Sequence, residues 1–422
     1  MESAGLRVRT VRRRFAAGVV LALVASTLVG GAAAGADNVR NGEYWLDDYG
    51  IRAAWDTTKG RGVTIAIIDT GVDGSVPELQ SVVAGGTDFS GLGSPDGQTP
   101  VGSVGSEHGT MVAALAAGRG SGGNNGVIGS APEAVVLSIS IGFGEGVLSS
   151  DDQIAQAVRW AVDHGADVIN MSLTRNTLDW PVSWDDAFLY AQEHDVVVVA
   201  AAGNRGSGTT QVGAPATMPG VLTVAGVDAR GEASFDASSQ GITIAVAAPS
   251  ENLVGVVPGG GHVIWNGTSG ATPIVAGVVA LVRAAHPELD AANVINRVVA
   301  TARDEGAAGP DPIYGFGLLD AQAAVNATVP TVDVNPMGDL AEWITVYRRA
   351  ESTPTPLPTV VASPTPTPIA AGPQNPLGTI LPTVNQLRNV GIPLAVLAVF
   401  LAIVVGLVVA GVRRYRGTRD TL

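Results

Sequence analysis

The strongest constraint on the fold is a pattern repeated between residues 38 and 326: short Val- and Ile-rich runs separated by stretches with helical spacing. The runs at 63–69, 135–141, 168–173, 196–202 and 221–227 are apolar along their length rather than alternating. A strand that is apolar on both faces is covered on both faces, which is the situation in a parallel sheet. Between the runs, residues 150–164 place Ile154, Ala157, Val158, Ala161 and Val162 on one helical face, with Ser149 and Ser150 as cap residues and Gly165 as the stop. Residues 108–117 and 269–285 are two further Ala-rich helices. The expected fold is therefore α/β, a mostly parallel central sheet with helices on both faces. Aromatic residues make up only 5% of the chain, so the core must be built from small and branched side chains. The absence of cysteine excludes disulfides, thiolate metal sites and cysteine nucleophiles.

The two ends differ from this middle. Residues 1–36 combine an Arg-rich start, an apolar stretch and the small residues 32–36, the three parts of an export signal. The folded domain is expected over 37–328. A Pro/Thr-rich linker follows over 329–390, extended and stiff where prolines are densest. Residues 391–412 carry an uncharged apolar run long enough to span a bilayer as a single C-terminal helix. Arg413, Arg414 and Arg416 come next, so 413–422 is expected to be a cytoplasmic tail with everything before the span outside. The formal net charge is −14 although both ends are basic, so the middle is strongly acidic. Such a surface repels phosphate backbones, and nucleic acid is not an expected partner.

Three segments carry chemistry. Asp69 ends the run VTIAIIDTGVD, where a parallel sheet presents functional side chains. His108 opens the helix HGTMVAALAAG, and Ser269 stands at the start of the helix in NGTSGATPIVAG. A hydroxyl near neutral pH needs a base beside it, and the base needs an orienting carboxylate. A helix N-terminus adds backbone donors for the oxyanion of acyl transfer. A nucleotide-binding reading requires G-x-G-x-x-G after the first strand, and the residues from Asp69 to Gly74 do not supply it.

With AIIDTGVDG, HGTMVA and GTSGATPIVAG in chain order Asp–His–Ser, the chain resembles the subtilisin-like serine proteases (peptidase family S8) over about 290 residues. GVIGSAPEAVVLSISI, WAVDHGADVINMSL and VVVVAAAGNRG follow the same family in order. The resemblance implies a serine endopeptidase with Asp69, His108 and Ser269 as catalytic triad and Asn204 in the oxyanion hole. It implies a polypeptide substrate bound as an added strand between backbone at Ser140, Gly142, Phe143 and Gly144 on one side and Ser172, Leu173 and Gly203 on the other. Thr174 and Arg175 stand where the family has glycines lining the primary pocket, and Arg205 follows Asn204 at its rim. A narrowed or positively flanked pocket, disfavouring basic residues before the cut, is expected.

No cofactor is required by the resemblance, although calcium is common in the family, and Glu78 with residues 124–128 offers oxygen ligands for it. About 30 residues separate the export signal from Asp69, which leaves no room for an inhibitory prodomain. Together with the Pro/Thr spacer and the single C-terminal anchor, this resembles the mycosins, membrane-anchored subtilases linked to type VII secretion. Secretion-system components are then expected partners, and residues 334–350 form a short amphipathic helix (Leu340, Trp343, Ile344, Tyr347) available to dock on the domain.

Overall fold

The computed structural model describes residues 38–146 and 148–348. The export signal, the Pro/Thr-rich stretch, the apolar run 391–412 and the basic tail lie outside the described residues. Seven parallel strands form the central sheet: β1 (Thr64–Asp69), β2 (Val83–Asp88), β3 (Val135–Ser140), β4 (Val168–Met171), β5 (Val197–Ala201), β6 (Leu222–Val227) and β7 (Ile244–Pro249), in the order β2-β3-β1-β4-β5-β6-β7. An antiparallel hairpin, β8 (Leu253–Val256) and β9 (His262–Trp265), stands apart from it. The chain crosses from one side of β1 to the other between β3 and β4. Such a reversal opens a crevice at the carboxyl ends of the strands, and Asp69 lies there.

After three four-residue helices (Asn38–Asn41, Trp45–Asp48 and Ile51–Ala54), the longer helices are α1 (His108–Ala117), α2 (Ser150–Asp163), α3 (Val182–Glu193), α4 (Thr268–Ala285), α5 (Ala291–Ala300), α6 (Ala321–Asn326) and α7 (Leu340–Tyr347). Helices α1 and α4 pack on each other, and α2 and α3 pack on each other, each pair also meeting the sheet. Ser149 caps α2 by accepting the Asp152 N–H at 3.1 Å, as its sequence position requires. Helix α4 is the one described helix long and apolar enough to cross a bilayer, yet 78% of it is buried. Its residues contact β1, β4, β5, β6 and β7, so it is the central core helix, and it carries Ser269.

One boundary needs correction. Residues 329–348, expected to begin the linker, are packed on the domain. The Gly220 N–H donates to the Met337 carbonyl, and Asn293 and Asn296 hold Val332 and Pro330. Helix α7 docks on α3, with Trp343 4.4 Å from Trp180 between ring centres. Arg348 then donates to the buried carboxylate of Asp185 at 2.8 Å and to the Trp180 carbonyl at 2.9 Å. Apolar anchors and one ion pair outweigh the chain entropy that a Pro-rich linker retains. Arg348→Gln is expected to lower unfolding stability by about 1–3 kcal/mol, read from denaturant midpoints of the full chain.

Candidate active site

Asp69 has no exposed surface, and its Oδ1 accepts the Thr70 N–H at 2.7 Å. Both of its oxygens lie 2.9 Å from Nδ1 of His108. With a carboxylate on that nitrogen, the neutral ring carries its proton on Nδ1 and presents the Nε2 lone pair. The imidazole is positioned by α1, whose first turn is tied down beside Asp69. The Gly109 N–H donates to the Thr70 hydroxyl at 3.0 Å, and that hydroxyl donates to the Ser106 carbonyl. A Cβ on Gly109 would stand 2.3 Å from the Gly71 carbonyl oxygen, so the HG pair is required for this approach. Trp265 on β9 meets the imidazole edge to face, 5.7 Å between ring centres. Burial disfavours the imidazolium, but the charge and hydrogen bond of Asp69, aided by Glu107, outweigh it and raise the His108 pKa above its ordinary value.

Ser269 is in the first turn of α4. Four residues on, Pro273 has no N–H to give the Ser269 carbonyl. The Ser172 hydroxyl supplies that hydrogen bond at 2.8 Å, and the Ser269 hydroxyl donates back to the Ser172 carbonyl at 3.1 Å. Among the described residues no hydrogen bond joins Ser269 to His108. The Asn204 Oδ1 accepts from both the N–H and the hydroxyl of Thr268, at 2.8 and 2.9 Å. This fixes the amide with Nδ2 as its remaining donor, facing Gly267, whose φ of +143° and missing Cβ keep the approach open.

The residues expected along a substrate strand divide. Ser140 and Gly142 have polar groups engaged within the domain. The Ser140 hydroxyl goes to Asp88 and its carbonyl to the Phe89 N–H. Gly142 gives its N–H to Gln153 and its carbonyl to the Ser150 hydroxyl. Phe143 and Gly144 stay on the surface. Across the crevice, Leu173 is buried, Ser172 holds Ser269, and Gly203, at φ +97°, donates its N–H to the Thr268 hydroxyl. Sequence reasoning missed Thr70, Thr268 and Trp265. The two threonines adjoin motif residues and were legible as neighbours, whereas a lone Trp four positions before Ser269 carries no pattern.

Calcium fits poorly. Two carbonyls of the 124–128 loop, Asn125 and Gly126, already accept from the Arg40 guanidinium at 3.1 and 3.0 Å. The buried Glu78 carboxylate has His262 Nε2 on Oε1 at 2.8 Å. A divalent ion would compete with a side-chain cation for the same oxygens.

A carboxylate, imidazole, hydroxyl and amide gathered at the carboxyl edge of a parallel sheet define a candidate acyl-transfer site. The model of the subtilase family matches residues 60–317. Mycosin-3 of Mycobacterium tuberculosis (strain ATCC 25618 / H37Rv) is 36% identical over 338 residues, covering 66% of this chain and 71% of its own. Fervidolysin of Fervidobacterium pennivorans is 33% identical over 324 residues, 68% of this chain, and this chain spans 44% of that relative's length. The structure of MycP3, a protease from the type VII (ESX-3) secretion system, superposes with a TM-score of 0.58 at 34% identity, covering 68% of this chain and 88% of that one. The chain belongs to the subtilase family of serine endopeptidases.

Two outcomes are expected. With His108 as the candidate base, kcat/KM for peptide hydrolysis is expected to fall as pH drops through a pKa above the ordinary histidine value. Asp69→Asn removes the charge that raises it, moving this acid limb to lower pH and cutting kcat by about 10⁴; rate–pH profiles of both forms check this. Treatment with EGTA is expected to leave the thermal midpoint of the full chain unchanged.

Proposed function

We propose that this chain is an extracytoplasmic serine endopeptidase, held at the membrane by its C-terminal apolar segment and serving a secretion system as the mycosins do. The carrying observation is the His108–Asp69 pair, with one ring nitrogen at 2.9 Å from both oxygens of a fully buried carboxylate. That geometry leaves Nε2 free to act as a base toward the helix that bears Ser269.

In this reading the Ser269 hydroxyl exchanges the Ser172 carbonyl for His108 Nε2 when substrate binds. Catalytic hydrogen bonds are often loose without substrate and tighten in the complex. Oγ attacks the scissile carbonyl while Nε2 takes its proton, and Asp69 stabilises the imidazolium. Asn204 Nδ2 and the Ser269 N–H hold the oxyanion. Removing one such donor costs on the order of 10²–10³ in turnover. The imidazolium then protonates the departing amine, leaving an acyl-enzyme that water hydrolyses by the same route.

Placement outside the cell rests on the export signal at 1–36 and on the apolar run followed by Arg413, Arg414 and Arg416. The association with secretion rests on the likeness to mycosin-3 and to MycP3. A second reading, a cell-surface subtilase fold that binds without turnover, draws support from the Ser269 hydroxyl facing Ser172.

A fluorophosphonate that cannot cross membranes, applied to intact cells expressing the full chain, separates the readings. Labelling of a membrane-fraction band, abolished by Ser269→Ala, is the expected result. A folded, surface-exposed protein that takes no label favours the binding scaffold, and label found only after lysis removes the extracytoplasmic placement.

A further inference from the structure

In an acyl-transfer complex the scissile carbon lies at Ser269 Oγ and its oxygen at Asn204. Ser269 is tied to Ser172, just beyond the end of β4, and Asn204 follows Gly203, just beyond the end of β5. The side chain of the residue before the cut therefore enters the crevice between residues 172–175 and 202–204. Residues 213–214 close the far side, where the Arg175 N–H donates to the Ala214 carbonyl at 2.7 Å.

Two walls of that crevice are glycine main chain. A Cβ on Gly203 would stand 3.1 Å from Cγ2 of Thr174, and one on Gly213 would stand 2.7 Å from Oγ1 of Thr174. One side chain thus reaches both walls. It is partly exposed, so it lines the crevice rather than the core. Thr174 is stiff at χ1 as a β-branched residue, and its hydroxyl donates to the Arg175 carbonyl at 3.1 Å, which locks it across the gap.

Both arginines beside this space are engaged. Arg175 lies 2.5 Å from the Asp151 carboxylate and over the Trp184 ring. Arg205 donates to the Ser238 carbonyl at 2.9 Å and stacks 4.4 Å from the centre of the Phe235 ring. Arg175 is thus paired with a carboxylate while Arg205 keeps its charge, and the narrowing rests on Thr174.

We propose that Thr174 sets the substrate class: the enzyme cleaves polypeptides after small side chains (Gly, Ala, Ser) and rejects aromatic, long aliphatic and basic residues at that position. This rests on the serine-endopeptidase reading above. The test uses full-length protein in detergent and extended peptides that differ only in the residue before the cut, Ala, Phe or Lys. Rates are normalised to the serines titrated by fluorophosphonate. Wild type is expected to prefer Ala, and Thr174→Gly to raise the Phe-to-Ala ratio of kcat/KM by about 10–100-fold, the range a few methylenes command in a closed pocket. Thr174→Ala, which keeps ordinary backbone stiffness, is expected to shift the ratio in the same direction. Wild type that takes Phe or Lys as well as Ala, or variants that titrate fully without a changed ratio, overturn the proposal and leave the endopeptidase reading intact. Failure of wild type to titrate overturns both.

Discussion

A carboxylate with no access to water is stable as an anion only if the protein replaces its hydration. Asp69 receives a backbone N–H from Thr70 and the ring N–H of His108, both at short distance. Much of the surrounding architecture follows from satisfying that group. Strand β1 brings it to the carboxyl edge of the sheet at the point where strand order reverses, and the Thr70 hydroxyl pins the first turn of α1. Gly71 and Gly109 let the two backbones touch. Removing the imidazole would strand a buried carboxylate, so the same interaction that orients the His108 ring also holds α1 against β1.

Ser269 is anchored by a different device. Pro273 withholds one hydrogen bond inside α4, and the freed Ser269 carbonyl is taken by Ser172 from the neighbouring strand end. Asn204 meanwhile occupies the N–H and hydroxyl of Thr268. The first turn of α4 is therefore clamped by the ends of β4 and β5, so serine and amide keep a fixed spacing without relying on loop rigidity. Thr174 and Gly203 extend the same two strand ends, so the shape of the crevice between them is set by the framework that holds Ser269.

How much of this was legible follows from what each signal measures. Five of the seven parallel strands stand out because they are continuous apolar runs, and their observed ends lie within two residues of the expected ones. Strand β2 does not read as a strand: Val83–Asp88 contains Gly85 and Gly86, and a Cβ on Gly86 would strike two carbonyl oxygens at 2.2 Å. Its glycines answer a tertiary approach that propensity cannot show. Helix α3 has the spacing Trp184, Ala187, Phe188, Ala191 and was open to pattern reading, though the expected elements do not include it. Asp69, His108, Ser269 and Asn204 were legible as motif residues. The internal hydrogen bonding of Ser140 and Gly142 was not, because it depends on Asp88 and Gln153, which no local pattern connects to them.

The docking of helix α7 has a mechanical side. Arg348, the last described residue, is clamped by Asp185 and the Trp180 carbonyl, next to the paired indoles of Trp180 and Trp343, well removed in sequence from the strand ends that hold the serine. A force applied at Arg348 would be borne first by that clamp. The relay at the sheet edge would be shielded from tugging until the latch had peeled away.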